Sequence, residues 1–137
     1  MLTIINFPRI NDPRGNLTFL QYSEHIPFEI KRVFWIYDVP GGEHRGGHAY
    51  REQKEVIIAL SGSFDVVISG ADGREERFTL NRSYFGLMIP SMTWRRMENF
   101  STNAVSLHIS DRNYDQNDYI WDRREYFSQR RDRYAKE

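Results

Sequence analysis

The side chains best suited to chemistry lie in one stretch, GEHRGGHAYREQKEVIIALSG, from Gly42 to Gly62. It brings the imidazole of His48, the phenol of Tyr50 and the carboxylate of Glu55 close together in sequence. Two chemistries use such groups. Histidine and glutamate can share a divalent cation. Alternatively, an imidazole titrating near neutrality takes a proton while a phenol gives or relays one. The surrounding elements must decide which of these groups meet.

Those elements are limited by bulk properties. With 137 residues the chain is about one domain, long enough to bury well over half of its unfolded surface. Nineteen basic and nineteen acidic side chains cancel, which gives no electrostatic footprint for nucleic acid or an anionic membrane. The absence of cysteine removes disulfides, thiolate metal sites and thiol nucleophiles, and fits a reducing compartment. MLTIINFPRI has no basic start and no apolar run of about 7 to 15 residues, so a secretory signal is not expected. Nor does any apolar stretch approach the ~20 residues that span a bilayer. The expectation is a cytoplasmic protein.

Strand-like runs dominate. Arg32–Asp38, Val56–Leu60, Phe64–Ile68, Tyr84–Ile89 and Ala104–Ile109 are short and rich in β-branched and aromatic residues. Ser61-Gly62-Ser63 separates two of them, and Gly70-Ala71-Asp72-Gly73 reads as a hairpin loop leading into Glu75–Leu80. Spacing of roughly 8 to 12 residues argues for an all-β barrel or sandwich, here placed over about 3–112. From Asn117 the period changes: Tyr119 and Tyr126, and Ile120, Phe127 and Tyr134, recur at sevens among charges. This predicts a C-terminal α-helix over about 117–135, capped by Asn117 or Asp118, with Arg130, Arg131, Arg133 and Lys136 at the negative end of its dipole.

The opening stretch resembles the first metal-binding motif of the cupins, all-β proteins built as a jelly-roll barrel. Gly42 is followed after five residues by His48, after one by Tyr50, after four by Glu55 and after six by Gly62. The cupin pattern has histidine where Tyr50 stands. Its second motif aligns with Pro90, Met92, Arg95 and Asn99, which puts Arg95 at the fourth ligand position. A guanidinium has no lone pair and repels a cation. No metal or other cofactor is therefore expected. The resemblance implies a mouth presenting His48, Tyr50, Arg45, Trp94, Arg95, Tyr37 and His108. One titrating group, several cations and aromatic faces suit a phosphorylated or nucleotide-linked sugar. Glu55, freed from a metal, is expected to pair with Arg95 or Arg45. His25 and His44 fall in loops and receive no role.

Further blocks sharpen the resemblance: Asp12-Pro13-Arg14-Gly15-Asn16-Leu17, Ile26 to Val33, Arg45-Gly46-Gly47-His48-Ala49, Leu60 to Ser63, Trp94 with Met97, and Tyr114-Asp115 with Asp118-Tyr119-Ile120. In that order they are similar to the nucleotide-sugar 3,4-ketoisomerases, the WxcM-like cupins, from about Ile5 to Phe127. The resemblance implies a metal-free isomerase of dTDP-4-keto-6-deoxyglucose that moves the keto group from carbon 4 to carbon 3 through an enediol, in deoxysugar biosynthesis for surface polysaccharide. It also implies a homodimer with exchanged N-terminal strands, so that Arg14 reaches the neighbouring site, and assigns Arg32 and Arg45 to the diphosphate. Where the family has His-Ala-His, this chain has His48-Ala49-Tyr50. The catalytic candidates are His48 as base, Tyr50 as donor or shuttle, and Tyr37; Arg14, Arg32, Arg45, Trp94, Arg95 and His108 are assigned to substrate. Arg95 or Arg45 beside Tyr50 would lower its pKa. The alternatives are a sugar-nucleotide-binding cupin without turnover and an unrelated small-molecule cupin.

Overall fold

The computed structural model describes residues 2–70 and 72–135. Twelve strands are followed by one helix: β1 (Thr3–Asn6), β2 (Arg9–Ile10), β3 (Leu17–Thr18), β4 (Arg32–Ile36), β5 (Arg45–Tyr50), β6 (Glu55–Ser61), β7 (Phe64–Ser69), β8 (Glu75–Leu80), β9 (Phe85–Ile89), β10 (Trp94–Glu98), β11 (Val105–Ser110), β12 (Tyr119–Ile120) and α1 (Arg123–Ala135). One five-stranded sheet has the order β1-β9-β6-β11-β4 and the other β12-β5-β10-β7-β8; β2 and β3 form a separate pair. Every ladder in them is antiparallel. The expected all-β jelly roll with a C-terminal helix is present, as two facing sheets. Among the described residues no ladder joins one sheet to the other, so the expected barrel is not closed.

Alternation explains the layers. Along β6, Ile57 and Ala59 point between the sheets with Phe64, Val66, Leu87, Ile89 and Met97. Val56 and Ile58 point the other way, onto Phe7, Ile26 and Phe28 of the N-terminal segment that covers that face. A strand buried on both sides reads as a continuous apolar run, as VIIAL does. Each such side chain withdrawn from water contributes about 1.5–3 kcal/mol. Two glycines are required by contact. At Gly62, with φ +65°, a Cβ would stand 2.4 Å from Ser101 Oγ and 2.9 Å from Ala104 Cα, and at Gly86 one would stand 2.9 Å from the Ile57 carbonyl oxygen.

The C-terminus differs from the expected long helix. Gln116–Asp118 form a single 3-10 turn, Tyr119 and Ile120 pair with Tyr50 and Ala49 as β12, and α1 starts only at Arg123. Asp122 caps it, its Oδ1 accepting from the amides of Arg124 (2.8 Å) and Glu125 (3.2 Å). Asp118 is instead buried and accepts from the amides of Glu52 and Gln53. The spacing of sevens misleads here because Tyr119 and Ile120 belong to a strand. Tyr126 is fully buried under α1 against Trp94 and Met92, and its hydroxyl donates to the Met92 carbonyl. Lys136 and Ala71, placed by the sequence at the helix end and in the hairpin loop, lie outside the described residues.

Candidate active site

At one end of the sandwich five strands turn polar side chains inward. Glu55 opens β6, His48 and Tyr50 close β5, Arg95 lies in β10, and His108 lies in β11 directly opposite Phe34 of β4. Glu55 and Arg95 are 2 % and 1 % exposed. Arg95 Nη1 donates to Glu55 Oε1 at 2.5 Å, and its Nε donates to the Thr93 carbonyl. Gln53 extends the network by donating to Glu55 Oε2 (3.3 Å) while its own Oε1 accepts from Arg32 (3.2 Å). His108 stacks on Phe34 and shares a 3.0 Å hydrogen bond with Ser106; its Nδ1 stands 3.7 Å from Glu55, beyond hydrogen-bond length.

These neighbours fix the charge states. Burial pushes the Glu55 carboxyl upward, but the Arg95 guanidinium, reinforced by His108 and His48, outweighs it and holds the group down at about 2. Burial and then Arg95 drive His48 the other way from the usual carboxylate case, down to about 3 against a small opposing pull from Glu55, so its imidazole is neutral at neutral pH. Tyr50 is raised, first by burial, then by the Glu55 charge and its bond to Tyr119. Arg95 lies 5.0 Å over the Tyr50 ring and pulls the other way without prevailing. The expectation that an arginine lowers Tyr50 is thus overturned; Glu55, close by, neutralises the field of Arg95. Tyr50 is a donor here, not a base.

Aromatic rings complete the wall. His48 meets Tyr50, Tyr119 and Trp121 edge-on at centroid distances of 4.7, 5.2 and 5.2 Å, and Tyr119 stacks on Trp121 at 4.8 Å. The Tyr50 hydroxyl donates to that of Tyr119 at 3.3 Å. Tyr114 reaches both Tyr119 and the guanidinium of Arg32. Four buried nitrogens of this cluster, Arg32 Nε, His48 Nδ1, Arg95 Nη2 and His108 Nδ1, have no hydrogen-bond partner among the described residues. Unsatisfied buried donors and acceptors are costly, and their concentration at one place marks a site that a polar ligand can satisfy.

The structure therefore brings together His48, Tyr50, Arg95, His108 and, through Gln53, Arg32. It separates the others. Trp94 precedes inward-facing Arg95, so strand alternation turns it outward, under α1 and 5.6 Å from Tyr126. Arg45 lies three residues before His48, roughly 10 Å along a strand, and Tyr37 follows the end of β4; both line a depression of ≈ 510 Å³ with Trp35 and Glu43. Arg14 is exposed and its guanidinium is held by Asp12 of the same turn. Glu55 pairs with Arg95 and not with Arg45, and the guanidinium of Arg95 fills the place where a cupin positions its fourth ligand. Tyr119 and Trp121 had been read as helical and Gln53 carried no local signal. Their clue was the aromatic sequence Tyr114, Tyr119, Trp121 lying before any helix cap.

Comparison with known proteins agrees with this site. The profile of the FdtA family, described as WxcM-like, C-terminal, matches residues 1–131. A TDP-4-oxo-6-deoxy-alpha-D-glucose-3,4-oxoisomerase of Aneurinibacillus thermoaerophilus is 37% identical over 117 residues, covering 85% of this chain and 84% of that protein. Among solved structures, a 3,4-ketoisomerase from Helicobacter canadensis superposes with a TM-score of 0.89 at 38% identity, covering 93% of this chain and 96% of that one. A mutant of the 3,4-ketoisomerase QdtA from Thermoanaerobacterium thermosaccharolyticum, in complex with TDP-4-keto-6-deoxyglucose, gives a TM-score of 0.93 at 32% identity over 96% of this chain and 95% of its own. The match spans nearly the whole chain on both sides, and the chain belongs to the FdtA, WxcM-like C-terminal, family.

Proposed function

We propose that this protein is a 3,4-ketoisomerase of a dTDP-linked 4-keto-6-deoxyhexose. The observation that carries the reading is the neutral His48 imidazole, its Nδ1 unpartnered, beside the Tyr50 hydroxyl and the buried Arg95 guanidinium. His48 takes the proton at carbon 3. The electron pair forms the carbon 3–carbon 4 double bond and the carbonyl electrons move onto oxygen 4, where a cation such as Arg95 stabilises the charge. Negative charge brought in by the ligand favours the protonated imidazole, which offsets its low resting basicity. Arg32, held at the mouth by Gln53 and lying over Phe34 and Tyr114, suits the diphosphate. The catalysis assigned to His48 and Tyr50 needs no metal, and Arg95 occupies the place of one.

The same reading extends to a homodimer in the cytoplasm that exchanges N-terminal strands, brings Arg14 to the partner's site and serves deoxysugar biosynthesis for surface polysaccharide. Tyr37, Arg45 and Trp94 have no part in it, given where they lie. Incubation with dTDP-4-keto-6-deoxyglucose in deuterated water, followed by NMR, tests the reading. Deuterium should enter at carbons 3 and 4, and His48→Asn should slow this by about 10²- to 10⁴-fold. Binding of dTDP without exchange above the buffer rate would sink the isomerase and leave a binding protein.

A further inference from the structure

We propose that Tyr119 is the outer member of a two-phenol proton relay whose inner member is Tyr50, an inference that rests on the ketoisomerase reading. Its basis is the ladder register. Tyr119 of β12 stands directly across from Tyr50 of β5, their rings are 4.6 Å apart, and their hydroxyls are joined at 3.3 Å. No other side-chain or backbone group among the described residues hydrogen-bonds the Tyr50 hydroxyl, which is itself buried. Tyr119 is half-buried and stacked on exposed Trp121, so the pair runs from the interior to the solvent side of the wall.

The placement of Tyr119 is not left to two short strands. Arg51, the residue after Tyr50, donates through Nη1 to the carbonyls of Asn117 (2.6 Å) and Tyr119 (2.8 Å), and through Nη2 to Glu125 (3.1 Å). The buried Asp118 carboxylate accepts from the amides of Glu52 (2.8 Å) and Gln53 (3.1 Å), and the Arg51 amide donates to the Asp118 carbonyl. Five hydrogen bonds from residues 51–53 therefore bracket Tyr119 on the strand that carries His48 and Tyr50.

The relay answers a specific chemical need. After the first step the proton from carbon 3 passes from His48 to oxygen 4, giving the neutral enediol. The O3–H proton then goes to His48, the carbon 3–oxygen 3 double bond forms, and the electron pair of the enediol takes a proton from Tyr50 at carbon 4. Alone, Tyr50 would end as a buried phenolate beside the charge of Glu55, which burial and that charge both oppose. With the relay, the proton of Tyr119 moves to Tyr50 as the Tyr50 proton leaves. Tyr119 recovers a proton from water and His48 returns one to water, so the sum is an isomerisation with no net gain or loss.

The test separates enolisation from completion. Wild type and Tyr119→Phe are incubated with dTDP-4-keto-6-deoxyglucose in deuterated water, and NMR follows deuterium at carbon 3 of recovered substrate and formation of the 3-keto product. Tyr119→Phe should keep carbon 3 exchange within about 3-fold and lose about 10- to 100-fold in product formation, part of the range a positioned acid contributes. Equal losses in both rates would mean a structural role and overturn the relay alone, as would unchanged product formation. No exchange with wild type would overturn the isomerase reading and the relay with it. Far-UV circular dichroism on both proteins guards against misfolding, and Tyr119→His, which restores a proton-carrying group, should recover part of the product rate if the relay operates.

Discussion

Arg95 and Arg96 are neighbours in one strand and have opposite fates. Arg95 points between the sheets, almost wholly buried, with Glu55 as its counter-ion. Arg96 points outward into an exposed lattice in which it meets Glu75 and Glu98, while Arg77 joins Glu98 to Asp65. The number of ion pairs is similar on the two faces, yet their energetic meaning differs. Outside, each partner remains hydrated and a lost contact is replaced by water. Inside, neither charge can be left alone, because removal of one strands the other in a medium that barely solvates it. A buried pair is thus a poor source of net stability and a strong constraint on composition.

The largest expected effect comes from stranding the inner charge. Glu55→Ala should destabilise the protein by about 3–5 kcal/mol in urea unfolding, since Arg95 loses its counter-ion. Replacing both partners at once, Glu55→Leu with Arg95→Met, should restore stability to the wild-type value or exceed it by about 1–4 kcal/mol while abolishing isomerase activity. A double variant as unstable as Glu55→Ala would break the contrast between the two faces.

Acid gives the next test, with the sign set by two groups. The folded His48 stays neutral down to about 3 while an unfolded imidazole protonates near 6.5, so the unfolded chain binds more protons between those values and stability falls with acid across that window. Glu55 is depressed to about 2 from 4.5, so its contribution is full above 4.5 and is lost as pH falls towards 2. Urea midpoints should therefore drop steadily below the ordinary histidine range. His48→Asn should flatten the part of the curve above 4.5 and leave the lower part in place.

The smallest effect belongs to the outer face. Arg96→Ala should move the melting temperature by no more than about 2 °C, and added salt should shrink that difference further. A large, salt-insensitive loss would show that the outward lattice is not screened by water.

Sequence reading reached the fold further than the site. Runs such as VIIAL and EERFTL carry their strand character in their own side chains, and Glu75–Leu80 begins and ends where expected. The RGGHAY and WRRME segments are also strands, but glycines and arginines hide the alternation, and Gly46 at φ +71° accompanies a shift in register. His48, Tyr50 and His108 were legible because spacing and alternation fix the face they occupy. Arg95 was placed correctly in the pocket and Trp94, its neighbour, was not, since motif alignment does not record which way a side chain turns. Tyr119 and Trp121 were lost for another reason: a seven-residue recurrence can straddle a strand and a helix, and only the capping by Asp122 separates them.

The pairing of β12 with β5 joins positions about seventy residues apart, Tyr119 with Tyr50. During synthesis both sheets except β12 have their residues in hand well before Tyr119 and Trp121 emerge. The wall beside His48 is therefore the last part of the molecule to close, and a nascent chain that has already folded most of its core has no working site. Completion of the chain and onset of activity coincide.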